Sequence, residues 1–391
     1  MKIFKLGLLL SGLFIYTACK KEGSTSTATN TTTTTPETCV SGRAVSTVIE
    51  GRYIVELKNT STLRQASERT VADFSRSFLQ RQGVEASALR AVFNGGLNGF
   101  VADLSLKEIT RLQASDEVEA IEPDRVVALG TCFTVVAPSL LTWNVTKTGY
   151  GDGTGKTAWI IDTGIDLDHP DLNVDLARSR SFLSGSTSAD DENGHGTHVA
   201  GIIGGKNNDI GVLGVASGAS LVSLRVLDKD GNGSGSGILQ ALSYVSTNAK
   251  AGDVVNMSLG EDTVSNILDN AVKSIAAKGI YVAIAAGNDS KAANLSSPAR
   301  ANAANIYTVS AVDSLNRFAS FSNYGNDVVD FAASGVRIVS TYMGGKYARM
   351  SGTSMAAPHV AGLLLLVGGN IKSSEEALND PDGVPDKIAS K

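Results

Sequence analysis

Three side chains able to take part in chemistry stand far apart in this chain: a carboxylate, an imidazole and a hydroxyl. Only four histidines occur, His169, His195, His198 and His359, so any imidazole chemistry rests on one of them. His195 lies in Asn193-Gly194-His195-Gly196-Thr197-His198, where flanking glycines let the backbone pack closely at a helix start. Asp162 ends the apolar run Ala158-Trp159-Ile160-Ile161 and opens Asp162-Thr163-Gly164. Ser354 follows Gly352-Thr353, with Pro358 early in the run behind it. A hydroxyl there would feel the positive end of a helix dipole, which favours developing negative charge. Each also has a blander reading alone: Asp162 as a turn residue, Ser354 as a helix cap, His198 as a hydrogen-bonded core histidine. The pair His195 and His198 lacks the spacing and the Glu of the HExxH zinc motif. Cys19, Cys39 and Cys132 lack CxxC zinc spacing.

Residues with these roles need a rigid frame. From Thr157 onward short apolar strands alternate with amphipathic helices. The strands are expected at Ala158–Ile161, Leu221–Val226, Val254–Met257, Tyr281–Ala285 and Tyr307–Ala311. The helices are expected at Gly196–Gly204, Gly237–Ala249, Val264–Ala277 and Ser354–Val367. Continuous apolar strands separated by helices imply a parallel α/β sheet covered on both faces, with ligands beyond the strands' carboxyl ends. Gly153-Thr154-Gly155-Lys156-Thr157 mimics the end of a phosphate loop, but Tyr150 stands where that motif needs Gly, and a strand rather than a helix follows.

Ahead of this region lies a smaller unit. Arg52–Leu57, Gly99–Leu104 and Val118–Glu122 read as strands, Leu63–Gln82 and Leu106–Ser115 as helices. They predict a small α/β sandwich. Gly130–Gly151 carries little regular signal. Further upstream, Lys2 and Lys5 precede an apolar run, Leu6–Tyr16, too short for an ordinary membrane span and suited to export. Residues 20–38 form a Ser/Thr-rich spacer with almost nothing to bury. The whole chain has 391 residues, 42% hydrophobic and 19% charged, with net charge −5. That balance excludes global disorder and leaves no basic footprint for nucleic acid.

The chain order Asp162, His195, Ser354 and all three local contexts resemble the subtilisin-like serine proteases, in which that order is established. The likeness runs from about Trp143 to Val367, and 53–127 resembles the family's inhibitor-type prodomain. The resemblance implies a subtilisin-like parallel sheet preceded by a ferredoxin-like prodomain. It divides the chain into a signal peptide (1–18), a spacer (19–51), a prodomain (52–130), a catalytic domain (131–372) and a polar tail (373–391). It makes Ser354 the nucleophile, His195 the general base and Asp162 its partner. Asn288, in Ala285-Ala286-Gly287-Asn288, becomes an oxyanion donor beside the Ser354 backbone N–H. Ser258-Leu259-Gly260 and the Gly231-to-Gly235 stretch become two walls between which a peptide adds as a strand. Ala285, Ala286 and Gly287 imply a roomy pocket for apolar or aromatic residues, with Asp289 able to admit some basic ones. Asp171 and Asn208 side chains with carbonyls of Lys206, Ile210 and Val212 resemble a structural calcium loop; the family's N-terminal ligand has no counterpart here, and Asp330 matches a second, weaker site.

Tyr16-Thr17-Ala18-Cys19 resembles a bacterial lipobox, with Tyr16 where that pattern prefers an aliphatic residue; lipidation at Cys19 would make this an envelope lipoprotein. The function implied is that of a monomeric, exported endopeptidase of broad specificity acting on proteins and peptides, inhibited by its own prodomain until autocleavage between about Leu129 and Ala137. A cut ahead of Cys132 would let a Cys39–Cys132 disulfide keep the enzyme anchored. The alternative is a catalytically inactive peptide-binding surface protein on the same fold, although all four catalytic positions carry the required types.

Overall fold

A computed structural model describes residues 38–41, 48–58, 63, 67–95, 97–128, 130–135 and 140–391. The expected export signal, Cys19 and the spacer as far as residue 37 lie outside the described residues. None of the described helices is long and apolar enough to cross a membrane.

The N-terminal module follows the ferredoxin-like order strand, helix, two strands, helix, strand. Its strands are Val48–Leu57, Leu89–Phe93, Asn98–Asp103 and Val118–Ala128, and its helices are Glu68–Arg81 and Leu106–Gln113. The strand at Leu89–Phe93 carried no clear alternation in the sequence. Ser67 caps the first helix by accepting from Thr70 N, which starts it five residues after the expected Leu63. Ser105 and Glu108 form a reciprocal capping box on the second. Strand side chains alternate between faces. Val55 and Phe100 turn toward the module's helices and meet Val71, Phe78 and Leu112. Ile54 and Val101 turn the other way, into a core shared with Ile238, Leu239, Leu242 and Ile275 of the larger unit.

The larger unit is built on a nine-stranded sheet. Its strands run in the order 372–376, 387–390, 329–334, 306–312, 281–285, 254–257, 157–162, 220–225 and 180–181, all parallel except the first pair. Every residue of Thr157–Asp162 is buried, as a strand covered on both faces requires. Ala158 and Ile160 face helices His195–Gly204 and Thr353–Val367. Trp159 and Ile161 face helices Gly235–Asn248 and Asn266–Ala276. The arrangement is therefore the parallel α/β sheet covered on both faces that the motifs anticipated.

Three segments differ from expectation. Residues 373–391, expected as a polar tail, supply two strands of the main sheet, with Ile388 and Ala389 buried. The charged sequence hides this, because one strand lies at the sheet edge. Gly130–Gly151, expected to be irregular, contains the strand Gly130–Val135 and the helix Trp143–Thr148. Within the expected spacer, Thr38–Ser41 is a strand. These strands form a separate antiparallel sheet in the order 38–41, 130–135, 346–351, 338–342.

Candidate active site

Asp162 and His195 meet at the carboxyl end of the central sheet. Asp162 is fully buried at the end of Thr157–Asp162, and its Oδ1 lies 2.8 Å from His195 Nδ1. The same oxygen accepts from Thr163 N at 2.7 Å. His195 is the first residue of its helix. Gly194, just before it, has φ of 104°, and a Cβ there would fall 2.0 Å from the Tyr342 ring. Gly196 is equally forced: a Cβ would strike Gly164 O at 2.0 Å. The glycines flanking His195 thus let the imidazole approach the aspartate strand.

The helix start is held by Asp191, which the motifs did not reveal. Its Oδ1 accepts from Asn193 N and Gly194 N, each at 2.9 Å, and its Oδ2 from Thr197 N and Oγ1 at 2.9 and 2.6 Å. An Asp three or four residues ahead of a Gly-His helix start is a capping signal that could have exposed it.

Ser354 is the second residue of Thr353–Val367 and is 4% exposed. Its hydroxyl donates to Ser258 O at 3.1 Å, while Ser258 Oγ donates to Ser354 O at 2.8 Å. His195 Nε2 is buried and has no hydrogen-bond partner among the described residues. The expected contact from nucleophile to base is thus not formed in this rotamer. Such bonds are often open in proteins without bound substrate.

The contact between Asn288, already a candidate, and Thr353 is a second element the motifs did not reveal. Asn288 Oδ1 accepts from Thr353 N at 2.8 Å and from Thr353 Oγ1 at 3.0 Å, and Gly287 N donates to Thr353 Oγ1 at 3.1 Å. With its carbonyl oxygen anchored, the Asn288 amide keeps its N–H donors for another acceptor. No local pattern linked these residues, because Thr353 reads simply as the neighbour of Ser354.

The remaining histidines are structural. Burial drives the pKa of His198 down to about 3 and that of His359 down to about 4. His198 Nε2 lies 3.0 Å from Ile338 O, and His359 Nε2 lies 2.8 Å from Asn144 Nδ2. His169 Nε2 lies 3.1 Å from Lys346 O.

A cavity of about 110 Å³ adjoins Ser354, lined by Ser258-Leu259-Gly260, Ala285-Ala286-Gly287, Asn288, Ala299 and three acids, Glu261, Asp262 and Asp289. Burial pushes Glu261 up to about 8, which leaves it neutral at pH 7. Lys291 Nζ lies 3.5 Å from carboxylate oxygens of both Asp262 and Asp289. The cavity is therefore small-walled and weakly charged.

The glycine-rich stretch expected as the second wall is paired with the chain itself. Asn232, Gly233 and Ser234 pair antiparallel with Ala128, Val127 and Val126. Gly231, just before, adopts φ of 78°. The exit strand of the N-terminal module thus lies on the glycine-rich stretch as an added β-strand. Two carboxylates from the same strand serve helix ends in the larger unit. Asp124 accepts from Ser236 N at 3.0 Å and Oγ at 2.8 Å, and Glu122 accepts from Ser265 Oγ and from Ile267 N at 3.2 Å. Such acceptors satisfy orphan N–H groups and suit the positive helix end.

In the expected calcium loop, Asp171 is fully buried. Its Oδ2 accepts from Val212 N at 2.8 Å, and its Oδ1 has no partner among the described residues. Its backbone carbonyl accepts from Lys206 N, and Asn208 Oδ1 accepts from Ile210 N at 3.3 Å. Asp330 is exposed on the strand Val329–Ser334 and accepts from Thr308 N at 2.8 Å. Among the described residues no three His, Cys, Asp or Glu side chains gather as a metal cluster.

Residues 153–377 match the Subtilase family, and residues 52–130 match Peptidase inhibitor I9. The chain is 36% identical over 382 residues to an extracellular serine proteinase of Thermus sp. (strain Rt41A), covering 92% of this chain and 88% of that protein. It is 42% identical over 272 residues to the M-protease of Shouchella clausii (strain KSM-K16), covering 68% and 67% of the two. A cold-adapted subtilisin-like serine proteinase of known crystal structure superposes with TM-score 0.57 at 34% identity, covering 64% of this chain and 98% of that one. The bonded Asp162–His195 pair, the serine at a helix start and these likenesses converge: the chain belongs to the subtilase family of serine proteases and carries an I9 inhibitor module as its N-terminal domain.

Proposed function

We propose that this protein is an exported serine endopeptidase made as a zymogen that cuts its own chain between Leu129 and Gly130. The observation that carries the reading is the exit strand on the glycine-rich stretch. Its last paired residue is Ala128, and Cys132 already lies opposite Ser351, three residues before Ser354. The proposed cut falls in the short stretch between these two pairings. Leu129 suits the small-walled, weakly charged cavity as the residue ahead of the cut, and an apolar preference follows for other substrates.

In the proposed reaction, Ser354 Oγ leaves Ser258 O and engages His195 Nε2. The imidazole takes the hydroxyl proton as Oγ attacks the substrate carbonyl, and Asp162 holds Nδ1–H and balances the imidazolium. The oxyanion accepts from the Asn288 amide and the Ser354 backbone N–H. His195 then protonates the leaving amine, and water releases the acyl group by the same steps in reverse.

Asp171 and Asn208, with the carbonyls of Lys206, Ile210 and Val212, would hold a calcium ion, supported by the partnerless buried oxygen of Asp171. Its contribution would be structural stabilisation of that loop. The enzyme acts as a monomer outside the cytoplasm, on the envelope if Cys19 carries lipid.

A fluorophosphonate probe and N-terminal sequencing test the central reading. Labelling of the processed protein but not of a Ser354→Ala chain, with Gly130 as the new N-terminus, is the expected result. An unlabelled wild-type protein would mean a peptide-binding scaffold instead.

A further inference from the structure

The strand Thr38–Ser41 is separate from the I9 module. It is the edge of the sheet that continues through Gly130–Val135 to Lys346–Ser351, so it is built onto the catalytic body. Its register is Thr38 opposite Phe133, Cys39 opposite Cys132, Val40 opposite Thr131 and Ser41 opposite Gly130. Two of the three cysteines in the chain therefore occupy directly facing positions on neighbouring antiparallel strands. Facing residues in such a pair have Cα atoms about 4.5–5.5 Å apart. Disulfides span Cα separations of about 4.4–6.8 Å, so this register is compatible with a cross-link without moving the backbone. A slip of one residue would put the two cysteines on opposite faces.

We propose that Cys39 and Cys132 form a cross-strand disulfide that keeps the segment ahead of the I9 module fastened to the catalytic body after the chain is cut. The cut at Leu129–Gly130 leaves Cys132 in the mature enzyme and Cys39 in the released portion, so this bond would be the covalent link between them. The position of the cut rests on the function proposed above; the cross-link itself does not.

The oxidant is an exchangeable disulfide donor of an oxidising compartment. One cysteine thiolate attacks the donor's S–S bond to give a mixed disulfide. The second thiolate attacks the sulfur of the first, forming the Cys39–Cys132 bond and expelling the donor as a dithiol. Two thiol protons are lost, and two electrons reduce the donor. After proteolysis of the I9 module, a peptide containing Cys39 would remain on the enzyme, with Cys19 at most a short spacer away.

The test uses the full exported chain, both active and as Ser354→Ala. In Ser354→Ala, both thiols are expected to resist alkylation until reductant is added, and a Cys39–Cys132 linked peptide should appear in a digest. In the active protein, the fragment bearing Cys39 should co-migrate with the catalytic body on a non-reducing gel and separate on a reducing one. Cys39→Ser should abolish co-migration while leaving peptide hydrolysis unchanged. Freely alkylated thiols in unreduced Ser354→Ala would overturn the proposal, as would release of the Cys39 fragment from the active protein without reductant. If the active chain stays uncut, the processing reading fails, and the linked peptide still decides the cross-link.

Discussion

The I9 module and the catalytic body both lay helices on a sheet, yet they complete their cores differently. The body covers both faces with its own helices, placing Ala158 and Ile160 under one pair and Trp159 and Ile161 under the other. The module covers one face with its own helices, over Val55 and Phe100, while Ile54, Phe93 and Val101 on the other face pack against helices of the body. A small unit that covers only one sheet face sits near the threshold of stability. The module's second layer thus belongs to the enzyme it inhibits, and its folding and its docking are coupled.

The sharpest division between the two regions is chemical. Ser354→Ala should lower kcat by roughly 10⁶, the loss measured in subtilisin itself, while the module stays folded and docked. Steady-state hydrolysis and a gel of the uncut chain check both halves. Phe100→Ala attacks the other side of the comparison. It removes a fully buried ring from the module at a cost of about 3–5 kcal/mol. The yield of processed enzyme should collapse, whereas molecules that do mature keep their kcat/KM. Asn288→Ala should lose about 10²–10³ in kcat with little change in KM, again the magnitude known from subtilisin.

Proton linkage separates the regions more finely. Burial, with Glu119 and Glu122 nearby, raises Glu56 in the module from 4.5 to about 7. Between those values the folded module holds a proton that the unfolded chain has released. Its stability is therefore greatest below about 4.5, falls as pH climbs toward about 7, and levels off above. Urea melts of the Ser354→Ala chain should show a decline on the order of 3 kcal/mol, flattened by Glu56→Gln. The smallest effect is expected at the docking caps. Asp124→Ala removes the acceptor from Ser236 and should weaken inhibition by the module by about 1 kcal/mol, read as a severalfold rise in its inhibition constant.

The same division explains what could be read in advance. The strand ending at Asp162 and the helices at His195 and Ser354 were legible because each motif is contiguous: the apolar run, the glycine and the reactive side chain fall within a few residues. The charged tail strands were not, since their pairing depends on the exposed edge of a sheet that other segments build. Asp191 stayed hidden for a related reason, because a cap is recognised only once the helix it serves is fixed.

What the order of residues pointed to is the chemistry available: a candidate hydroxyl, imidazole and carboxylate, and a frame of buried strands to hold them. What required the folded molecule is every relation between distant segments. Thr353 anchors Asn288, Asp124 and Glu122 serve helices more than a hundred residues downstream, and Cys39 faces Cys132. Local propensity is a property of neighbours along the chain, whereas register and helix-end contacts arise when separate surfaces pack, so no short window of residues encodes them.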